Sequence, residues 1–328
     1  MDVQLVKHRL GNDWVAVTEL IGDVLKSDIA ILDDTNQRIL SHSGKQLRPM
    51  LCLLMGRLCS SEGAVDEATI RYAAASELLH NATLLHDDVA DSSDCRRGVP
   101  TVNALLGPAV SVLVGDYWLV KAVNLILGEA SSDTRAVRIF AKTLSDLAQG
   151  EMLQLQMAST VRTTMEDYLR IIYSKTASLF EAACLSAAVS VGACKEYEVA
   201  ATDYAVSLGY AFQIKDDILD YVGDRKVGKP LGIDILEQKI TAPLLGALSN
   251  ASESKQEEIR NLVRGIVGHP ENRERIVEFV LSNGGIEAAR TMLDGYIDKA
   301  VDALAIFPDS EEKALLEELA RFVAIRNS

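Results

Sequence analysis

An all-α protein is predicted by three features of this 328-residue sequence. Its apolar residues recur mainly at helical spacing, and alanine and leucine are abundant. No proline lies between Pro108 and Pro230, so the strongest helix breaker is missing from the middle of the chain. Alternating β-branched runs closed by Asn-Gly turns are absent, which argues against strands. At about 150 residues per domain the length suits one large domain or two. With no flexible linker, low-complexity tract or solenoid repeat, one domain over 1–328 is the simplest organisation.

In chain order, the first predicted helix covers 3–29. The second, 46–60, opens around Pro49. The third, 64–91, ends in aspartates and runs into a basic loop, SSDCRRGVP, at 92–100. Helices at 101–128 and 133–158 follow. Thr163-x-x-Glu166 reads as a capping box for a helix at 165–195. The next, 197–222, also ends in aspartates, before the loop GDRKVGKPLGID at 223–234. Helices at 235–249, 252–266, 271–282, 284–306 and 310–326 complete the chain. This C-terminal third is the most polar part and carries the least information.

Composition excludes several classes. The formal net charge is −14, the opposite of the basic footprint a nucleic-acid binder needs. An anionic substrate would require a local basic cluster or bound cations. Five cysteines, widely spaced and without a CxxC pair, fit a reducing cytoplasm better than a disulfide framework or zinc knuckle. The N-terminal residues lack the apolar core and cleavage site of a signal peptide. The longest uncharged apolar run, Ala182–Cys194, falls short of the about 20 residues a membrane span needs.

Two D-D-x-x-D clusters stand out: Asp87, Asp88 and Asp91, then Asp216, Asp217 and Asp220. Residues four apart share a helix face, so Asp87 pairs with Asp91 and Asp216 with Asp220. Like charges at this spacing repel by about 0.2–0.5 kcal/mol. The negative end of the helix dipole adds to that cost. One such cluster is most simply a set of solvated carboxylates. Two of identical spacing, each before a basic glycine-containing loop, point to neutralisation by cations. Oxygen-only ligands favour Mg²⁺ shared with substrate phosphates.

Before the first cluster, Thr83, His80, Ser76 and Ala73 form a stripe of small or polar residues, either a solvated face or a cavity wall. Basic residues that could hold phosphates are Lys45 and Arg48, Arg96 and Arg97, Lys175 beside Thr176, and Lys229 and Lys239. Alone, each is most simply a solvated surface residue, except Lys175, whose neighbours are apolar.

GKQLRP, ELLHNATLLHDDVAD, RRGVPTVN, GDYWL, QGEMLQ, YSKTA, GYAFQIKDDILD and GKPLGIDILEQKITAP occur in that order over roughly residues 40–245. With these motifs the chain resembles the trans-isoprenyl diphosphate synthases of the polyprenyl synthetase family. The resemblance implies an all-α bundle around a deep central cavity, usually homodimeric, that joins an allylic diphosphate head to tail to isopentenyl diphosphate. It also implies three Mg²⁺ ions. Asp87 and Asp91 would hold two and Asp216 a third. Asp220 counts among the metal-site residues, and Asp88 and Asp217 support them. Arg96, Lys175, Thr176, Gln213, Lys229 and Lys239 would bind the allylic diphosphate. Of these, Lys175, Thr176 and Gln213 act where the allylic cation develops. Lys45, Arg48, His80 and Arg97 match the metal-free isopentenyl diphosphate site. No side chain is an obvious general base, and in the family departing pyrophosphate is held to take the proton.

The family's usual G-G-K-R-x-R-P is here Ser43-Gly44-Lys45-Gln46-Leu47-Arg48-Pro49, which keeps the ligands but loses a glycine and a basic residue. Residues four and five before the first cluster face the growing chain in the family, and bulky aromatics there shorten the product. Here they are Thr83 and Ala82. From Asp87 to Ser76 the small-residue stripe runs about 16 Å. A long product, around octaprenyl, is expected. The alternative is a farnesyl or geranylgeranyl synthase with the same sites. A terpene cyclase should lack the second D-D-x-x-D, and a non-catalytic partner subunit should have lost carboxylates or RRG. The lipid product makes transient membrane contact conceivable, without an anchor in the sequence.

Overall fold

The computed structural model describes residues 3–96, 98–128, 134–222 and 231–326. Arg97 and Lys229 therefore lie outside the described residues. The fold is all-α, and its contacts divide the chain into two compact units. One comprises residues 1–141, 182–201 and 307–316; the other comprises 142–181, 202–306 and 317–328.

In the first unit, the segment read as one helix over 3–29 is two, Val3–Leu10 and Asn12–Val24. The break falls at Gly11, whose φ of 57° suits a residue without a Cβ. A helix absent from the sequence reading, Ala30–Ser41, follows. It buries Thr35 and Asn36 rather than an apolar stripe, so it carries no periodic signal. Asn36 holds it in place: its amide donates to the Leu25 carbonyl at 2.7 Å and its oxygen accepts from buried Trp118 at 2.8 Å. Leu47–Cys59 is buried along almost its whole length. Glu67–Ala90 starts at Asp66, whose side chain accepts from the Thr69 amide.

The basic loop holds a correction. Cys95–Arg96 and Val99–Pro100 pair as a two-residue antiparallel ladder where no strand was expected. The predicted 101–128 helix divides at Gly107 into Val102–Leu106 and Pro108–Leu127. Among the described residues, Pro108–Leu127 is the one helix long and apolar enough to cross a membrane by length and composition. Asp116 and Lys121 interrupt it, so a search for uncharged runs passes it by.

In the second unit, the capping box lies one residue later than predicted. Thr164 Oγ1 accepts from the Asp167 amide at 3.1 Å, and the Asp167 carboxylate accepts from the Thr164 amide at 3.0 Å. Thr163 is buried instead. The predicted 165–195 helix is Met165–Ile172, a π turn at Tyr173–Ala177, and Ser178–Ser190. The long helix Lys195–Val222 follows its predicted course and packs closely on the π turn. A Cβ added to Gly209 would stand 2.5 Å from the Ala177 Cα, so only glycine permits this approach. The predicted 235–249 helix is a short turn, Ile233–Leu236, and a buried helix, Ala242–Ser249. Glu253–Arg264, Asn272–Ser282, Gly285–Ala303 and Glu311–Ile325 agree with expectation to within a few residues.

Candidate active site

The first aspartate cluster ends Glu67–Ala90. Its three members differ in surroundings: Asp88 is buried, Asp87 half-buried and Asp91 exposed. Asp88 accepts from Arg96 Nε at 2.8 Å. Burial raises the Asp88 pKa, and the Arg96 charge offsets part of that rise. The Asp88 carbonyl also accepts from the Ser93 amide and the Asn103 side chain. Asp88 and Arg96 thus tie the basic loop to the helix end, leaving Asp87 and Asp91 as its outer carboxylates.

The stripe leading to this cluster is not a solvated face throughout. Ala73 and Ser76 are buried, as is Ala82 on another face of the helix. The Ser76 and Thr83 hydroxyls donate to the carbonyls of Ala73 and His80, which satisfies them within their own helix. On the preceding loop, Gln46 adopts the left-handed conformation (φ 57°, ψ 46°). Its side-chain oxygen accepts from Lys7 Nζ at 2.8 Å. Lys7 was not singled out from sequence. It lies 39 positions from its partner and places a cation beside the residue where the basic one is lost. Arg48 is buried two residues beyond Gln46, while Lys45 and His80 are half-buried.

The second cluster, on Lys195–Val222, is more tightly bound into its unit. Asp217 is buried and accepts from the Tyr168 hydroxyl at 2.5 Å and from Gln213 Nε2 at 3.0 Å. Burial pushes its pKa up to about 7, against the lowering effect of these hydrogen bonds. The Gln213 oxygen accepts from Thr176 Oγ1 at 2.9 Å. A continuous chain therefore runs from Thr176 through Gln213 and Asp217 to Tyr168. Asp220 accepts from the Ile233 and Asp234 amides at 3.0 and 3.2 Å, capping the short turn there. Asp216 accepts from Arg326 at 2.7 Å.

Lys175, on the π turn, is ion-paired with Glu151 and donates to the Gln154 oxygen at 3.2 Å. Lys239 is ion-paired with Glu237. A cavity of about 160 Å³ within this unit gathers Gln154, Lys175, Gln213, Asp217, Asp234 and Lys239 along its wall. Asp234 was not picked out from sequence. Its pKa is raised well above the carboxylate range, first by burial and then by Asp217 and Asp220. The only sequence signal for it was a carboxylate inside GKPLGIDILEQK.

Asp217, Asp220 and Asp234 all have raised pKa values. Such a concentration of carboxylates favours a hard cation with oxygen ligands. Among the described residues, no three His, Cys, Asp or Glu side chains converge on a single point. An ion here would therefore complete its shell with phosphate oxygens and water, which suits Mg²⁺. The residues present fit that metal.

The polyprenyl synthetase family model matches residues 29–280. Octaprenyl diphosphate synthase of Escherichia coli is 36% identical over 328 residues, 100% of each chain. A polyprenyl synthase from Caulobacter crescentus, solved with calcium and isoprenyl diphosphate, superposes with a TM-score of 0.89 at 35% identity, covering 100% of this chain and 98% of that one. A decaprenyl diphosphate synthase from Rhodobacter capsulatus gives 0.90 at 36% identity, covering 98% of each.

Proposed function

The chain belongs to the polyprenyl synthetase family and is a trans-prenyltransferase, and from that premise we propose that it condenses isopentenyl diphosphate head to tail with an allylic diphosphate. Repetition of the step yields an all-trans product around octaprenyl. The observation that carries the reading is the Thr176–Gln213–Asp217–Tyr168 hydrogen-bond chain, which passes the cavity that Lys175 and Lys239 also line. Incubation of the purified protein with both substrates and Mg²⁺, followed by mass analysis of the products, tests it. A product no longer than geranylgeranyl would refute the long-chain assignment, and no prenyl product would refute the activity.

Asp87, Asp91 and Asp216, with Asp220 contributing, are the groups that would hold Mg²⁺. Bound there, the metal supplies Lewis-acid neutralisation of the allylic diphosphate. The protein's own groups then divide the work. Lys175, steadied by Glu151 and Gln154, adds a fixed positive charge for that diphosphate. Arg96, Lys229 and Lys239 serve the same group. The Thr176 proton is committed to Gln213, and the Gln213 amide to Asp217. Their oxygen dipoles are thereby fixed before charge develops, so little reorganisation is needed in the transition state.

Lys45, Arg48, His80 and Arg97 hold isopentenyl diphosphate, with Lys7 fixing Gln46 beside them. Lys7→Met and His80→Ala are expected to raise the Michaelis constant for isopentenyl diphosphate about three- to tenfold with little change in kcat. Lys175→Ala should instead lower kcat and weaken the allylic substrate. Steady-state kinetics with each substrate varied in turn checks the division, which fails if all three variants affect both substrates alike.

The active form is a homodimer. Leu113, Val120 and Leu127 are 68%, 56% and 48% exposed at seven-residue intervals along Pro108–Leu127, an apolar stripe that a second copy would cover. Sedimentation equilibrium at micromolar concentration should give twice the monomer mass, and Leu113→Glu should shift it toward monomer. A wild-type monomer would refute the assignment. The chain is assigned to the cytoplasm on its five free thiols. Contact with a membrane is transient, at product release.

A further inference from the structure

The C-terminal arginine holds a place that the proposed function gives to a metal. Arg326 is 6% exposed and its guanidinium lies 3.9 Å from the Phe212 ring centroid. One of its terminal nitrogens donates to the Phe212 carbonyl at 2.9 Å and to Asp216 Oδ1 at 2.7 Å. Two residues earlier, the Ala324 carbonyl accepts from Lys215 Nζ at 2.7 Å. Ala324 and Arg326 are thus fastened to one turn of Lys195–Val222, the turn that presents Asp216.

The seat is well built on one side and incomplete on the other. Arg326 Nε is buried with no hydrogen-bond partner. The link to Asp216 is a single contact, where a guanidinium can make a bidentate one. The Asp216 side chain is 42% exposed while that of Arg326 is 5% exposed, so the carboxylate stays reachable from solvent and the cation does not. Lys215 and Arg290 add further positive charge nearby. This is the arrangement of a carboxylate neutralised from within, by a contact that a stronger cation can replace.

We propose that Arg326 is a resident counter-cation for Asp216. It neutralises the carboxylate in the unloaded protein and gives it up when a divalent ion arrives with a diphosphate. The inference rests on the reading of Asp216 as a metal-site residue. It adds that loading of the ion is coupled to release of the C-terminal residues from Phe212. An ion bound through Asp216 Oδ1 competes with the Arg326 guanidinium for that oxygen, so loading the ion there weakens the Arg326 contact. The apparent affinity for the ion is therefore reduced by the fraction of protein in which the contact is closed.

The test uses Mn²⁺ with inorganic pyrophosphate as the probe, and electron paramagnetic resonance to count free Mn²⁺. Arg326→Gln, and a truncation lacking 326–328, should bind Mn²⁺ about three- to tenfold more tightly than wild type, with Arg326→Lys in between. Circular dichroism of each metal-free variant verifies the fold. In the wild type, trypsin should remove Asn327–Ser328 faster once Mn²⁺ and pyrophosphate are present, read as the loss of two residues in the intact mass. Equal Mn²⁺ affinity in all four proteins would overturn the inference and leave the metal site standing. Absence of Mn²⁺ binding from all four would overturn the metal site and the inference together.

Discussion

Asp87→Ala or Asp216→Ala lowers turnover by at least about 100-fold at saturating substrate, the scale of losing one preorganised electrostatic contact in a transition state. The loss arises in the chemical step, because departure of pyrophosphate demands that its developing charge be met. The two variants should differ in their folded state. Asp87 is half-buried at a helix end, so its removal costs little stability. Removing Asp216 leaves the Arg326 guanidinium buried without its anion, and the melting temperature should fall. Single-turnover assays with excess enzyme, alongside thermal melts, check both statements. Near-wild-type turnover in either variant would exclude that aspartate from the metal site.

Ala82→Phe shortens the product toward geranylgeranyl or farnesyl while the rate of the first condensation changes little. Ala82 is 1% exposed, on the same helix as buried Ser76 and Ala73 but on another face. On the proposed role of Ala82 in chain length, a ring at this position would fill space that a growing chain needs. Overpacking of this kind costs about 1–3 kcal/mol in a well-packed core, so the variant should melt at a lower temperature yet remain folded. Chromatography of dephosphorylated products against prenyl alcohol standards reads the outcome. An unchanged product distribution from a folded Ala82→Phe enzyme would remove Ala82 and Thr83 from control of chain length.

Local features of the fold were legible because they leave local marks. The two D-D-x-x-D clusters sit at the helix ends where their spacing and following loops put them. Long helices with clear apolar periodicity, such as Lys195–Val222, emerged with nearly correct bounds. Ala30–Ser41 was missed because its buried residues are threonine and asparagine. The break at Gly107 was missed because apolar content continues across it, whereas the one within 237–241 carries no glycine or proline to mark it.

The site divides along the same line. The motif gives Asp216, Asp217 and Asp220 the same residue type, the resemblance sets Asp217 apart as a support, and burial gives each different surroundings. Asp217 becomes a hydrogen-bonded support and Asp220 a cap for a backbone turn. The partners that make the difference lie far along the chain. Tyr168 is 49 positions from Asp217, and Arg326 is 110 from Asp216. No local pattern announces such pairs. Lys175 could be picked out because a lysine in an apolar helix is uncommon, whereas its anchor Gln154 belongs to a different helix.

The π turn at Tyr173–Ala177 fixes where the side chains within it stand. It houses one more residue per turn than an α-helix, and that surplus residue lies in the stretch that carries Lys175 and Thr176. Deleting any single residue from 173–177 would let the backbone anneal into an uninterrupted α-helix with better hydrogen bonding than before. Side chains beyond the turn would keep nearly the same phase, because the wider turn already absorbs the surplus residue, but those within it would be displaced. Thr176 would then point away from Gln213, and Ala177 away from the gap at Gly209. In this segment a more regular helix is the inactive one, and insertions or deletions are far less tolerable than substitutions.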